Sequence, residues 1–191
     1  MFMRPVFAAA KADVQRVAYA EGEDDRVLRA VQVAIEEGLA KPILIGRPAV
    51  IESRIAKAGL RMQNGVDFEI CDPEDDPRFR QYWEAYQQLM GRDGVTPDGA
   101  KSAVRRSNTL IAALMVHLGD ADAMLCGLVG KFDKHLAHIE EVLGKKAGID
   151  QLATVNALML EDRTLFIADT YINEDPSAEE LAQIAKMAAD E

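Results

Sequence analysis

Apolar positions along the chain fall into two alternating patterns, short strand-like runs and longer segments with helical spacing. The first strand-like run covers residues 16–20; after an acidic turn, Val27, Val31 and Ile35 recur at helical spacing as far as Gly38. Further strand-like runs cover 41–46, 68–71 and 122–127. The helix-like segments cover 48–59, 77–90 and 109–118, with another beginning at the cap Thr96 and Pro97. This alternation predicts a mostly parallel sheet with helices on both faces, a three-layer αβα fold.

The last part of the chain has a different pattern. Residues 151–160 and 164–168 are two strand-like runs separated by a short polar turn, and together they predict a β-hairpin. Ser177 followed by Glu180 is a capping box that predicts the start of a final helix. Glycines at 144 and 148 mark a predicted hinge between the two parts.

Two helical segments have patterns typical of packing. Phe79, Trp83 and Tyr86 lie at helical spacing, which favours a stripe packed into a core over a platform that stacks on a ligand. The segment 109–118 has almost no polar face and predicts a buried helix capped by Ser107.

Composition limits the classes of partner. The chain has 191 residues, 49% of them hydrophobic and 28% charged, and a formal net charge of −10. Because non-specific nucleic-acid binding depends on Lys and Arg neutralising phosphates, we expect neither nucleic acid nor an anionic membrane as a partner. The longest apolar run, 110–116, is far shorter than the ~20 residues of a membrane span, and no signal-peptide pattern is present. The sequence therefore predicts a cytoplasmic protein.

The cysteines indicate neither a disulfide framework nor a zinc site. Cys71 and Cys126 are far apart, and no second cysteine or histidine accompanies either at ligand spacing. Two buried thiols are the expected outcome.

A candidate anion site follows the strand-like run 122–127. Gly127, Gly130 and Lys131 precede a helix that begins near Asp133, so backbone amides and a lysine can face one anion. Ligands of open α/β sheets also bind outside the carboxyl ends of strands. The segment is neither a P-loop nor a dinucleotide-binding motif, and a tight turn that requires glycine explains the same residues.

Other charged positions have simpler interpretations. His135 and His138 share a helix face, but no third ligand has suitable spacing, so we expect an exposed face and no metal. Asp24 suits the cap of a helix. Arg105 and Arg106 could contact phosphates, although a solvated arginine pair is the commoner case. No local Ser/His/Asp or Cys/His arrangement indicates catalysis, so no catalytic residue is assigned.

Several segments together resemble the phosphate acetyltransferase and butyryltransferase family. They are 20–30 (AEGEDDRVLRA), 37–46 (EGLAKPILIG), 94–100 (GVTPDGA) and 118–127 (LGDADAMLCG). The resemblance covers almost the whole chain from Pro5 onward. It implies a phosphotransacetylase-like fold, similar to isocitrate and isopropylmalate dehydrogenases, with two α/β domains and a cleft between them. On this basis residues 1–128 form the first domain, and residues 129–191 begin a second domain that is incomplete.

The segment 130–133 (GKFD) most resembles the phosphotransacetylase-like C-terminal domain of the long NADP-dependent malic enzymes. At this point phosphate acetyltransferases carry a hydroxyl- and histidine-rich stretch leading to an arginine that contacts coenzyme A, and that arginine falls at Ala137 here. A second coenzyme A arginine of the family falls at Met90, with Arg92 as an imperfect substitute nearby. The family's catalytic Ser-Arg and Asp group belongs to a later segment that this sequence lacks. The resemblance therefore implies a fragment that is not itself catalytic.

The resemblance also implies a function and its partners. The chain would be a regulatory and oligomerisation fragment of an NADP-dependent malic enzyme, which oxidatively decarboxylates malate to pyruvate with NADP and a divalent metal, Mg or Mn. Those cofactors would belong to a missing N-terminal malic enzyme domain, with none in this fragment. The expected partners are an acyl-CoA effector such as acetyl-CoA and further copies of the chain. The candidate effector-binding residues are Gly127, Gly130, Lys131, Asp133, Arg92, Arg105 and Arg106.

Two alternatives remain open. The first is a truncated phosphate acetyl- or butyryltransferase, which would transfer an acyl group between coenzyme A and phosphate. The second is a structural dimerisation module that binds no small molecule.

Overall fold

The computed structural model describes residues 3–190, which form two compact units. One unit consists of residues 6–144, and the other consists of residues 3–5 and 145–190. The domain boundary expected after residue 128 separates the two α/β domains of the complete family fold, which is a different division from these two units. That boundary stays a prediction.

A four-stranded parallel sheet forms the centre of the unit 6–144. Its strands are β1 (Gln15–Tyr19), β2 (Ala40–Ile45), β3 (Glu69–Cys71) and β4 (Ala123–Leu125), in the spatial order β3-β2-β1-β4. All three pairings are parallel. The chain therefore extends the sheet from β1 in one direction, and then returns to place β4 on the other side of β1.

Helices connect these strands. They are α1 (Arg4–Ala12), which precedes β1, α2 (Asp25–Glu36), α3 (Pro48–Ala58), α4 (Phe79–Met90), α5 (Pro97–Arg106), α6 (Asn108–Leu118) and α7 (Phe132–Leu143). A short 3₁₀ turn, Gly91–Asp93, follows α4. The sequence predicts all of these helices except α1, none of whose side chains is buried; for α5 the prediction rests on the cap Thr96 and Pro97.

Alternate strand residues pack into two separate cores, one on each face of the sheet. Ala18, Ile43 and Ile45 face a core shared with α4, α5, α6 and α7. Tyr19 and Leu44 face a second core shared with α2 and α3. Because side chains of a strand alternate between faces, two apolar sets along one strand require helices on both sides. This arrangement confirms the predicted three-layer αβα fold.

The packing expected of two helices is also confirmed. Seven of the eleven residues of α6 are buried, and the Ser107 hydroxyl oxygen accepts a hydrogen bond from the Leu110 N–H at 3.2 Å. On α4, Tyr86 is buried while Phe79 and Trp83 pack against the same core. Cys71 is buried as expected, whereas Cys126 is only half-buried; both are free thiols.

The unit 145–190 contains a hairpin and a helix. Antiparallel strands β5 (Val155–Met159) and β6 (Thr164–Ala168) precede α8 (Ala178–Asp190). The Glu180 N–H donates to the Ser177 hydroxyl at 3.3 Å, and the Ser177 N–H donates to the Glu180 carboxylate at 2.6 Å. The predicted hairpin and capping box are therefore both present.

Asp169 organises the segment that follows β6. Its carboxylate accepts hydrogen bonds from the N–H and hydroxyl of Thr154, at 2.8 and 2.7 Å, and from the N–H and side-chain amide of Asn173, at 2.8 and 2.6 Å. Burial raises the pKa of this carboxyl, but the four hydrogen bonds outweigh it and hold the pKa well below its usual value. The charged carboxylate thus ties the end of the hairpin to the segments on either side.

Across residues 3–190, no helix combines the length and apolar character that crossing a bilayer requires.

Candidate functional site

A cleft of about 750 Å³ opens at the carboxyl end of β1 in the unit 6–144. Ala20 and Glu21 follow β1 at its floor, and residues 127–131, called here the cleft loop, follow the neighbouring strand β4. In the strand order β3-β2-β1-β4, the chain passes from β1 to β2 on one side, whereas β4 lies on the other side of β1. The strand order therefore reverses between β1 and β4, where the cleft opens. Open α/β sheets bind ligands at such switch points.

The walls come from five segments of the same unit. They are the β1–α2 loop (Ala20, Glu21, Glu23, Asp24), α3 (Arg54), the α5–α6 junction (Ala103, Arg106, Ser107, Asn108, Thr109), the cleft loop (Val129, Gly130, Lys131) and α7 (Lys134, His135, His138).

Four basic side chains line the cleft, and three of them have no counter-ion in the part of the chain that the structure describes. Within residues 3–190, Arg106, Lys131 and Lys134 take part in no ion pair, and Arg54 has only a 3.4 Å contact with Asp25. An unpaired surface lysine is ordinary, but four basic residues converge here in a chain whose net charge is −10. The local potential therefore favours an anion.

The acidic residues of the cleft already have partners of their own. Glu23 accepts hydrogen bonds from the Arg47 guanidinium at 2.8 Å, which lowers the pKa of that carboxyl. Asp24 caps α2, and its hydrogen bond with the Arg26 guanidinium lowers the carboxyl pKa to about 2. These carboxylates are ionised at neutral pH but are matched by arginines. Glu21, the third acidic residue of the cleft, accepts a hydrogen bond from the Gly127 N–H and takes part in no ion pair within residues 3–190. Three unpaired cations against one unpaired carboxylate leave the lining of the cleft with an excess of positive charge.

The start of α6 adds partial positive charge to this lining. The Ser107 hydroxyl satisfies the amide of Leu110, whereas the amides of Asn108 and Thr109 come before the first acceptor within the helix. The N-terminal end of a helix carries about half a positive charge. An anion in the cleft would meet this end together with Arg106.

The structure brings together some of the residues expected from the sequence. Gly130, Lys131 and Arg106 all line the cleft. Gly127 does not line it; the Gly127 N–H donates to the Glu21 carboxylate at 2.9 Å and so ties the ends of β4 and β1 together. That amide is already used within the protein and does not face a ligand.

The other three expected residues do not line the cleft. Asp133 lies in the first turn of α7 and is exposed. Arg92 lies in the 3₁₀ turn after α4. The Arg105 guanidinium is 4.7 Å from the centre of the Phe79 ring, a cation–π contact on another side of α5.

The histidines of α7 are not on an exposed face, so that expectation is wrong. Both are half-buried and line the cleft. The His135 Nδ1 is 2.8 Å from the Thr109 hydroxyl, and its Nε2 is 2.9 Å from the Val129 carbonyl oxygen. The His138 Nδ1 is 3.2 Å from the Glu141 carboxylate. Among residues 3–190, no three His, Cys, Asp or Glu side chains are grouped so as to hold a metal ion.

Sequence reasoning misses several cleft residues. Lys134 lies three positions after Lys131, a spacing that places the two on one side of the helix start and could have identified it. Arg54 and Asn108 reach the cleft only through the packing of α3 and α6 around β1, for which the sequence carries no local signal.

Comparisons with known proteins agree with this fold. The chain matches the family described as "Phosphate acetyl/butaryl transferase" over residues 1–191. It is 50% identical over 190 residues to the NADP-dependent malic enzyme of Salmonella typhimurium, covering 100% of this chain and 25% of that protein. It is also 50% identical over 190 residues to the NAD-dependent malic enzyme of Rhizobium meliloti, covering 99% and 25%. The phosphotransacetylase of Streptococcus pyogenes superposes with a TM-score of 0.86 at 26% identity, covering 97% of this chain and 56% of that one.

The chain therefore belongs to the phosphate acetyl/butaryl transferase family, as its motifs predict. Its similarity to malic enzymes is to their C-terminal region, and it spans about a quarter of their length. Where the resemblance places two coenzyme A arginines, the structure has Met90 packed against the core and Ala137 on an exposed part of α7.

Proposed function

We propose that this chain is the regulatory and oligomer-building region of an NADP-dependent malic enzyme, and that its cleft binds acetyl-CoA or a related acyl-CoA. The observation that carries this proposal is the group of unpaired cations, Arg106, Lys131 and Lys134, beside the start of α6. A neutral or cationic ligand would leave these charges uncompensated, whereas phosphate groups would match them.

The rim of the cleft adds an apolar surface. Val129 is 57% exposed and the adjacent Leu128 is 42% exposed, although both belong to the cleft loop beside Lys131. An acyl-CoA combines charged phosphates with a pantetheine arm and an acyl group that are uncharged and contain apolar methyl and methylene groups. Such a ligand can use both parts of the surface, which a free phosphate cannot.

The parent reaction, oxidative decarboxylation of malate to pyruvate, would take place in the part of the enzyme outside this chain. We assign the malate site, NADP and the divalent metal, Mg or Mn, to that part, with the whole enzyme in the cytoplasm. Regulation then requires that the acyl-CoA bind one conformation of the enzyme more tightly than another, because only differential affinity shifts an equilibrium.

Lys131→Ala tests the site. In the full-length protein we expect this change to weaken acetyl-CoA binding by roughly tenfold or more, the effect of losing a hydrogen bond between charged groups. Isothermal titration calorimetry measures the affinity.

Lys57→Ala is the matched control, since Lys57 is an exposed lysine in the last turn of α3 and does not line the cleft. Its affinity should equal that of the unmodified protein. Equal affinities for all three proteins would place the site elsewhere, and undetectable binding to all three would remove the acyl-CoA proposal.

A phosphate acyltransferase is the second candidate, and the family match favours it. We nevertheless expect the purified chain to form no acetyl phosphate from acetyl-CoA and phosphate. Neither Met90 nor Ala137 can supply the fixed positive charge that this transfer requires. A thiol-release assay measures the reaction; turnover above the uncatalysed rate that a cleft substitution abolishes would favour the acyltransferase instead.

Self-association is expected from the hairpin. Phe166 and Ile167 point to opposite faces of β6 and are 52% and 49% exposed, so the two-stranded hairpin has apolar surface on both faces. We propose that a second copy covers one of them. Light scattering at micromolar concentration should show a dimer or larger species that Phe166→Asp weakens, while Val66→Asp, at a 73% exposed position in the other unit, should leave it intact. A monodisperse monomer would contradict this proposal.

A further inference from the structure

His135 makes two hydrogen bonds that join three parts of the cleft wall. Its ring lies in the first turn of α7 and contacts the Thr109 hydroxyl of α6 and the Val129 carbonyl of the cleft loop, at 2.8 and 2.9 Å. A carbonyl oxygen only accepts, so Nε2 must carry a proton. In the neutral ring Nδ1 is then the acceptor, and the Thr109 hydroxyl donates to it.

The α6 residue that contacts His135, Thr109, is buried in the core. Thr109 is only 5% exposed and lies in a helix with six further buried residues. A buried hydroxyl needs a hydrogen-bond partner, and His135 supplies it. The imidazole is thereby fixed against a helix that is itself packed in the core.

The cleft loop is shaped to fit this ring. Gly130 has a φ of +115°, and a Cβ at this position would lie 2.9 Å from the His135 Nε2. The loop therefore passes against the imidazole as closely as a glycine allows. Lys131 is the next residue and begins α7 as its N-cap, without a side-chain capping bond of its own. Its backbone position is set by Gly130 before it and by the turn that contains His135 after it.

We infer that His135 is a positioning residue, which holds the cleft loop against α6 so that Lys131 faces a bound anion. Both ring nitrogens are occupied by protein groups, so His135 acts through the loop and not by contacting the ligand. The inferred effect of His135 on ligand affinity rests on the proposed anion-binding function. The inferred effect of His135 on the order of the cleft loop does not depend on any ligand.

A ligand-free experiment tests the effect on the loop. Hydrogen–deuterium exchange of the peptide spanning residues 127–132 is measured by mass spectrometry in the full-length protein. His135→Phe keeps an aromatic ring but removes both hydrogen bonds, and it should make this peptide exchange faster. His135→Gln can still donate to the Val129 carbonyl and should restore most of the protection. Unchanged exchange in His135→Phe, or equal exchange in the two variants, would overturn the inference whether or not acetyl-CoA binds.

The second measurement is a double-mutant cycle on acetyl-CoA affinity. His135→Phe should weaken binding about tenfold, because only the fraction of molecules with an ordered loop is competent. If His135 acts through Lys131, Lys131→Ala should then cost much less in the His135→Phe background than alone. If the loss of acetyl-CoA affinity in the double variant equals the product of the losses in the two single variants, the positioning role is overturned. Absence of binding to the unmodified protein would count against the proposed function and leave the exchange result to decide the role of His135.

Discussion

Replacing Gly22 with alanine is expected to lower the free energy of unfolding by about 3 kcal/mol or more, at the upper end of the range for overpacked positions. A Cβ on residue 22 would lie 2.8 Å from the Ile45 carbonyl oxygen and 2.9 Å from the Ile45 nitrogen. These atoms belong to the backbone of β2, which no side-chain rotation can move away. The Gly22 N–H also donates to the Ile45 carbonyl at 3.2 Å, so the loop cannot retreat without losing this bond.

Gly91→Ala is the control for this substitution. Gly91 has an ordinary φ of −62°, and its added Cβ would approach only the flexible end of Gln87, at 3.1 Å. We expect a change of less than about 0.5 kcal/mol, as for most substitutions that meet no backbone atom and remove no buried contact. Urea denaturation followed by circular dichroism compares the two, and similar midpoints would show that the β1–α2 loop tolerates the added atom.

Asp169→Asn is expected to destabilise the hairpin unit by roughly 1–3 kcal/mol, the cost of leaving partly buried hydrogen-bonding groups without a proper partner. Every group that faces this carboxylate is a donor, two from Thr154 and two from Asn173. Asparagine has the same shape, but its NH₂ group would have to face donors. Hydrogen exchange of peptides covering residues 150–175 reports the loss within this unit.

The same carboxylate makes stability depend on pH. The pKa of Asp169 in the folded chain is below the unfolded value of about 3.9, so its contribution is fully present well above that pH. It is lost as the pH falls below about 4 and the carboxylate becomes protonated. The unmodified chain should therefore lose stability more steeply on acidification than Asp169→Asn. Asp162→Asn, in the exposed turn of the same hairpin, should retain the steep dependence.

Much of the fold can be predicted because the central strands β1 and β2 carry two apolar sets. Tyr19 and Ala18 are adjacent and serve different cores, and such continuous apolar runs are typical of strands covered on both faces. The pattern of buried apolar residues does not predict α1. Four of its nine residues are alanine, the strongest helix former, and none of its side chains is buried, so packing into either described core does not account for it.

The candidate site is predictable only where it is local in sequence. Lys131 and Gly130 stand out because a strand end and a helix start flank them. The sequence predicts an exposed His135 because it does not show that Thr109, 26 positions earlier, packs beside it. Arg105 and Arg106 are adjacent and look equivalent, yet a helix turns about 100° per residue, so one faces the cleft while the other stacks on Phe79.

The cleft lies at the seam between the two helical layers. Arg54 comes from α3, which packs on one face of the sheet, whereas Arg106 and Lys134 come from helices that pack on the other. A single polyanion that contacts all three would link the two helical layers at the carboxyl end of β1 and would oppose the separate unfolding of either layer. Ligand binding should therefore slow amide exchange in α3 and α7 together, even though these helices belong to different cores.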